Sequence, residues 1–138
     1  MRKFFQAIIT DIRAELDEAV FVLPVLLLVT FGMVNMAMVG FAGLSASNAA
    51  NYGARMASVA QANQASVASG AANSMLDAAP VGTYTVSVAG GGTPGSLVRV
   101  QVQYSVPNYF AGLTALFGIS TPANWTGTVR SDFRQEGW

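Results

Sequence analysis

The sequence contains no cysteine and no histidine. The lack of cysteine excludes disulfides and thiolate nucleophiles. The lack of histidine removes the usual general base near neutral pH, and the two absences together remove most zinc sites. Seven carboxylates remain, most of them near the two ends of the chain, and no two are placed as an acid–base pair. We therefore expect a protein that is not an enzyme and that holds no cofactor and no metal.

Charge is also scarce in this sequence. Seven Lys and Arg residues balance seven Asp and Glu residues, and together they make up 10% of the chain. A nucleic-acid-binding surface needs clustered Lys and Arg to face the phosphates. The one adjacent basic pair is Arg2–Lys3 at the N-terminus. We therefore expect no nucleic-acid partner.

What the chain has in abundance is a single apolar run, residues 19–44, which contains no charged residue. As an α-helix this run of about 26 residues would be about 39 Å long. It exceeds the roughly 20 apolar residues that cross the hydrocarbon core of a bilayer. Soluble monomers do not expose an apolar surface of this size. Lipid, detergent or further copies of the chain must therefore cover it.

Residues 1–18 form an amphipathic flank before the apolar run. Their apolar residues recur at the three- and four-residue spacing of one helix face, and charged residues lie between them. Positive charge before the run fits a cytoplasmic flank that anchors a membrane helix at the interface. A secretory signal peptide is the alternative, but its first region would be unusually acidic and its apolar run too long.

Residues 45–78 are rich in small and polar side chains and contain no proline. Because Ala is the strongest helix former, the pattern predicts that one helix continues from the apolar run to about Ala78, shortly before Pro80. Starting near residue 3, this helix would be about 110 Å long, and Pro24 should bend it. A flexible linker rich in Ala and Ser is the alternative.

Glycine, alanine and serine give this helix a thin cross-section. Thin helices let backbones approach closely, which is how helices associate where water supplies little driving force. We therefore predict that copies of the chain contact one another along it. The residues predicted to form the subunit contacts are Pro24, Leu27, Phe31, Gly32, Gly40, Gly43, Gly53 and Arg55.

The C-terminal part, residues 79–138, shows the alternation of β-strands. Apolar and polar residues alternate over 83–88 and again over 98–106, and the cluster 90–95 between them predicts a turn. Alternation over 125–133 predicts a third strand. The apolar stretch 108–121 is broken by glycines, which favours a loop with one helical turn that folds over the head or touches a neighbour.

These segments together predict an α+β fold. One very long N-terminal helix packs, through its C-terminal half, against a small three-stranded antiparallel sheet. The predicted order along the chain is a flank at 1–18, an apolar transmembrane or filament-core helix at 19–44, a small-residue helix that continues into the head at 45–78, and a β head at 79–138.

Several of these stretches resemble TadE-like pilins of the tight-adherence system, which are relatives of type IV pilins. In that family a Glu precedes an apolar run that contains a proline, as Glu18 and Pro24 do here. Residues 49–55 are similar to the family's small-residue stretch that ends in Gly-Ala-Arg, and the strand order of the head is similar too. The resemblance implies a pilin-like fold, assembly into a surface filament by a pilus export machinery, and adhesion.

The N-terminal flank departs from the pattern of the family. The resemblance implies that a peptidase cuts after a small residue, usually glycine, so that the Glu becomes the fifth residue of the mature chain. Counting back from Glu18 puts Arg13 at the position before the cut, and a cut after the small residue Ala14 would make Glu18 the fourth residue instead of the fifth. We therefore expect the flank to be retained.

Glu18 is a carboxylate at the edge of an apolar run, where an unpaired charge is costly. The resemblance implies a cationic partner on a neighbouring subunit, and Arg13 or Lys3 of an adjacent copy would supply it. In the alternative interpretation Glu18 lies solvated in the membrane interface beside other acidic residues. Arg55 has two interpretations as well. It bonds to another subunit or to the sheet, or its stem covers the helix while its guanidinium reaches water.

Two functions remain after these exclusions. The first is a structural pilin subunit that is held in the cytoplasmic membrane by its apolar helix and then polymerises into a cell-surface filament, which serves adhesion. Its partners are other copies of itself, membrane lipid before assembly, and the export machinery. The alternative is a single-span membrane protein whose small extracytoplasmic head binds a partner without forming a filament.

Overall fold

A computed structural model describes the backbone of residues 2–136 and the side chains of residues 19–136, apart from those of Phe21 and Leu116. The chain forms helix α1 over Arg2–Val59, helix α2 over Gln64–Leu76, strand β1 over Thr83–Gly90, strand β2 over Leu97–Pro107, helix α3 over Ala111–Leu116 and strand β3 over Asn124–Arg134. The predicted α+β class and the long N-terminal helix with its three-stranded sheet are confirmed.

The three strands form one antiparallel sheet in the order β1-β2-β3. In the register, Val86 lies opposite Val102, and Val102 lies opposite Val129. Strand side chains alternate between the two faces of a sheet, so the β2 valines that point to the helices share one face. All four valines of β2, Val98, Val100, Val102 and Val106, are fully buried. The predicted strands and the turn between β1 and β2 are therefore confirmed.

The core lies between this sheet face and the two longer helices. On the helices it consists mainly of alanine, and on the sheet mainly of valine. The fully buried alanines of α1 are Ala42, Ala46, Ala49, Ala50, Ala54 and Ala57, and those of α2 are Ala68 and Ala72. Alanine keeps the helix backbones close to each other and to the sheet. Much of the small-residue character of 45–78 thus serves packing within one molecule.

The expectation of one helix continuing to Ala78 is wrong. Helix α1 ends at Val59, and α2 begins at Gln64 and runs back along α1, so that Ala68 and Ala72 lie against Gly53. The 58 residues of α1 correspond to about 87 Å instead of about 110 Å. The reversal occurs at Asn63, whose backbone is left-handed with φ 56°. Asparagine tolerates this conformation better than other residues with a Cβ.

Packing explains why the propensity argument failed at this turn. Residues 60–63 contain neither glycine nor proline, and local propensity favours a continuing helix. Folding α2 back buries its apolar stripe, Ala68, Ala72 and Leu76, against the core. The side chain of Gln64 also donates a hydrogen bond to the carbonyl of Ala60 at 3.1 Å, which satisfies a carbonyl at the end of α1. Tertiary burial therefore outweighs local propensity.

Strand β2 runs antiparallel to α1, and several contacts fix their alignment. The carbonyl of Pro107 lies beside Asn35, and the ring of Tyr104 lies beside Gly43. At the other end, the amide of Glu136 donates to the carbonyl of Ser58 at 2.9 Å. The head therefore covers one side of α1 from about residue 32 to residue 59 and leaves the preceding part of α1 uncovered. On the other side, apolar residues such as Met36, Phe41 and Leu44 stay exposed.

Candidate assembly surface

The surface that stands out on this molecule is the apolar part of α1 below the head, which we call the bare rod and define as residues 19–31. Among the described residues, one helical stretch, Val22–Val59, is long and apolar enough to cross a membrane, and only 6% of its most apolar window is buried. The exposed apolar side chains of the bare rod are Val20, Val22, Leu23, Val25, Leu26, Leu27, Val29 and Phe31. No other part of the described chain covers them.

Proline is accommodated within this rod without ending the helix. Pro24 lies inside α1, where it lacks the amide hydrogen that the helix would use. Leu27 is 38% exposed and Phe31 is 42% exposed, so both are available to lipid or to another chain. Arg13 and Glu18 lie in the helix, but their side chains are outside the described part of the structure. The pairing predicted for them stays a prediction.

The predicted contact glycines fall into two groups. A Cβ placed on Gly40 would meet nothing within 4 Å, so this glycine faces open space. A Cβ on Gly32 would lie 3.8 Å from the Phe110 ring, and one on Gly43 would lie 3.4 Å from the Tyr104 hydroxyl. Gly32 and Gly43 therefore face the head of their own molecule. Of these three, Gly40 leaves room for the close approach of a helix from outside.

Gly53 is buried within the molecule, where α2 crosses α1. A Cβ on Gly53 would lie 2.7 Å from the carbonyl oxygen of Ala68 and 3.0 Å from the Cβ of Ala72. The missing side chain lets the two helix backbones touch, so the small size of Gly53 is accounted for by the fold of one chain. A contact with another subunit at this position would require α2 to move away.

Arg55 lies two residues after Gly53, on the exposed side of α1. Within the described residues its guanidinium forms no ion pair, while its backbone carbonyl accepts a hydrogen bond from the Ser58 hydroxyl at 2.8 Å. The neighbouring Tyr52 is 42% exposed. Among the described residues, Arg55 forms no bond to the sheet. Its predicted contact with another subunit stays a prediction.

Asn35 is a structural residue that the sequence reasoning missed. Its side chain is 5% exposed, donates to the carbonyl of Pro107 at 3.3 Å and accepts from the amide of Tyr109 at 3.0 Å. A buried amide side chain is tolerated in an apolar helix when both its ends are paired. The signal was present in the sequence, because Asn35 is the one amide residue within the uncharged run 19–44.

An apolar cleft opens next to Asn35, between α1 and the base of the head. Its volume is about 290 Å³, and it is lined by Gly32, Asn35, Met36, Val39, Phe110 and Trp125. The lining offers little to hold a charged or strongly polar ligand. Among the described residues there is also no group of three or more acidic side chains that could hold a metal ion.

The described ion pairs lie on the sheet, on its outer face. Arg99 and Asp132 are direct partners across β2 and β3, and the guanidinium donates to both carboxylate oxygens at 2.9 and 3.1 Å. Arg130 is a more distant neighbour of the same carboxylate, at 3.7 Å. The hydrogen bond from Arg99 holds the pKa of Asp132 below its usual value. Arg99 and Asp132 thus form a cross-strand ion pair, which stabilises the pairing of β2 with β3.

A comparison of the sequence with known families finds a match to the family described as TadE-like protein, over residues 18–55. Residues 18–55 are TadE-like. The match begins at Glu18 and ends at Arg55, so it covers the bare rod and most of the part of α1 that lies under the head. The resemblance on which Glu18, Pro24 and the Gly-Ala-Arg stretch were identified is thus confirmed. No curated protein and no solved structure matches the chain.

The TadE-like segment and the bare rod together give a coarse functional assignment. The TadE-like family is a structural, pilus-associated family. The TadE-like segment lies largely within the one described helical stretch, Val22–Val59, that is long and apolar enough to cross a membrane. The head lies outside the matched segment, so the match assigns no role to the sheet.

Proposed function

We propose that the chain is a structural pilin subunit that polymerises into a cell-surface filament through α1, and that the filament serves adhesion. The observation that carries the proposal is the bare rod of a TadE-like segment, whose apolar side chains no other described part of the chain covers. Before assembly, lipid covers the rod. In the filament, the rods of sister subunits cover it.

The polar outer face of the sheet supports this arrangement. Thr85, Gln101 and Gln103 are exposed on the face opposite the helices. Heads with such a face form a hydrated coat around a core of packed rods. One surface is thus covered by lipid first and by protein later, and the subunit itself performs no chemistry. An export machinery supplies the energy of assembly.

The experiment is the recovery of filaments from cells that produce the full chain together with its export machinery. Material sheared from the cells is imaged by negative-stain microscopy, and the protein is identified in it by mass spectrometry. We expect regular fibres that contain this chain. If the chain stays in the membrane fraction and no fibres contain it, the single-span membrane protein with a partner-binding head is the better description.

A matched pair of variants tests which surface assembles. Gly40→Leu adds a bulky side chain at a position that faces open space, so it should abolish or strongly reduce fibres while the head stays folded. Thr85→Leu changes an exposed residue on the outer face of the sheet and should leave fibre yield unchanged. Equal fibre yields from both variants would remove Gly40 from the proposed contact.

The ion pair proposed between subunits has its own test. Glu18→Arg should abolish assembly if the carboxylate of Glu18 pairs with Arg13 of an adjacent copy. The double variant Glu18→Arg, Arg13→Glu restores the opposite charges and should recover fibres. Normal assembly by the single charge reversal would reject the pairing and favour a solvated Glu18.

A further inference from the structure

The base of the head carries a group of apolar side chains, four of them exposed and Phe110 half-buried, which we call the basal rim and define as Tyr109, Phe110, Phe117, Ile119 and Trp125. Tyr109 is 60% exposed, Phe117 and Ile119 are each 55% exposed, and Trp125 is 41% exposed. They come from the segment between β2 and β3, which contains α3, and from the first residues of β3. Soluble surfaces seldom concentrate aromatic side chains in this way.

The basal rim lies at the end of the head that faces the bare rod. The ring of Phe110 contacts α1 at Gly32, and the amide of Tyr109 donates to Asn35. The apolar cleft beside Phe110 and Trp125 is lined on α1 by Gly32, Met36 and Val39, which follow the bare rod along the helix. Phe110 and Trp125 of the rim therefore lie beside the part of α1 that directly follows the bare rod.

The bare rod is too short to span the hydrocarbon core of a bilayer. Residues 19–31 are 13 in number, which corresponds to about 20 Å of helix. The hydrocarbon core is about 30 Å thick and needs about 20 residues. Extending the span towards the N-terminus would bring Glu18, Asp17 and Glu15 into the hydrocarbon, which is costly. If the span of about 20 residues is instead extended towards the C-terminus, it ends near Val39, which is at the level of the basal rim.

The distribution of charge along the head agrees with a hydrocarbon span that ends at the level of the basal rim. Residues 100–129 contain no charged residue, and they include the whole basal rim. The charged residues of β2 and β3, among them Arg99, Asp132 and Arg134, lie towards the opposite end of the sheet, where Glu136 meets Ser58. The part of the sheet next to the rod and the segment between β2 and β3 are thus free of charge, whereas the far end of the sheet is not; Asp77, at the end of α2, lies outside this uncharged segment.

We propose that, in the membrane-anchored subunit, the basal rim is inserted into the phospholipid leaflet on the side of the head. The aromatic side chains lie at the level of the headgroups and the first acyl carbons, where Trp and Tyr are favoured. Lipid fills the apolar cleft, and the rim supplies the remaining thickness that the bare rod lacks. The inference rests on the membrane-anchored stage of the proposed function and is independent of polymerisation.

The test measures the depth of Trp125 in phosphatidylcholine vesicles. Full-length protein carrying Trp138→Phe, so that Trp125 is the one tryptophan, is reconstituted with phospholipids brominated either near the ester or near the end of the acyl chain. Two reporters in a Trp125→Phe, Trp138→Phe background serve as controls. Leu97→Trp places the reporter at the far end of the head, and Val25→Trp places it on the bare rod.

We expect shallow bromines to quench Trp125 about threefold more strongly than the reporter at position 97, because the headgroup region holds the rim but not the far end of the sheet. The reporter at position 25 should be quenched most by bromines deep in the chain. The double variant Phe117→Asp, Ile119→Asp changes two exposed residues and should weaken the quenching of Trp125. Thr85→Asp, also at an exposed position, should leave it unchanged.

Three outcomes would overturn the inference, and they can be told apart. If Trp125 is quenched no more than the reporter at position 97 while the reporter at position 25 is quenched, the head stands clear of the lipid and the anchored subunit remains. If the reporter at position 25 is not quenched, the anchoring itself fails. If the quenching of Trp125 falls as protein is added at constant lipid, a second copy covers the rim instead of lipid.

Discussion

At the scale of single residues, the glycines of α1 have different neighbours and therefore different roles. Gly40 faces open space, Gly43 makes room for Tyr104, and Gly53 lets α2 touch α1. Gly127, which lies opposite Tyr104 in the register of β2 and β3, also makes room for that ring. The same residue type thus serves the fold at some positions and remains available for assembly at another.

The close approach at Gly53 gives the first prediction. Gly53→Ala should lower the free energy of unfolding by about 1–3 kcal/mol, because its Cβ would lie 2.7 Å from the Ala68 carbonyl oxygen and the helices must separate. The measurement is denaturant unfolding in detergent micelles, followed by circular dichroism. Gly70→Ala is the control, since that position is open, and it should stabilise the protein by about 0.4–1 kcal/mol. Equal effects of the two variants would contradict the helix crossing.

Asn35 gives the second prediction. Asn35→Leu removes the partners of the Pro107 carbonyl and the Tyr109 amide and should cost about 1–3 kcal/mol of stability. Hydrogen exchange at the amide of Tyr109 should speed up. Asn48→Leu, at an exposed position of the same helix, should change neither quantity appreciably. Unchanged exchange at Tyr109 in the Asn35 variant would show that the bridge does not hold the base of the head.

At the scale of elements, the reversal between α1 and α2 depends on Asn63. A side chain branched at Cβ is strained in the left-handed region, so Asn63→Val should destabilise the protein by about 1–2 kcal/mol. Asn63→Gly removes that strain and should be neutral or slightly stabilising. Thermal unfolding of the two variants measures the difference. If valine and glycine gave the same midpoint, the turn would not need the left-handed conformation.

The sheet gives a prediction about pH. Arg99 lowers the pKa of Asp132 in the folded protein, so the pair adds stability above the unfolded pKa of about 3.9 and loses it as pH falls through the lower folded value. Asp132→Asn should therefore lower the unfolding midpoint at pH 7, and the difference from the wild type should shrink towards pH 2. Thr128→Ala, on the same face of β3, is the control. A difference that stays constant with pH would exclude the ion pair as its cause.

At the scale of the whole molecule, the bare rod and the head are held together by one helix but are stabilised separately. The buried core begins at Ala42, and the bare rod ends at Phe31. Leu27→Glu should therefore reduce membrane insertion strongly, because a carboxylate near the centre of a span costs several kcal/mol. Amide exchange of Val100 and Val102 should keep its wild-type protection, since these valines pack far from the change. Flotation and exchange experiments measure the two effects.

The matched control for this variant is Asn48→Glu, which adds the same charge at an exposed position beside the head. It should leave insertion unaffected. Loss of protection in the Leu27 variant would show that the head needs the rod in order to fold, contrary to the division of contacts described above.

Local patterns in the sequence are enough to predict which segments are apolar, which are helical and which alternate as strands. An uncharged run before a small-residue stretch and three alternating segments specify a long helix and a β hairpin with a third strand, because those patterns are local. Glu18, Pro24 and the Gly-Ala-Arg stretch identified the TadE-like segment for the same reason.

The place where the helix turns back, and the choice of small residues that face the molecule's own core, depend on contacts between distant parts of the chain. Residues 60–63 carry no local signal strong enough to end a helix, and the reversal gains its stability from contacts between α2, α1 and the sheet. The roles of Gly53 and Asn35 follow from neighbours that lie 15 to 74 residues away in the chain. Such neighbours are set by packing, which local propensity does not contain.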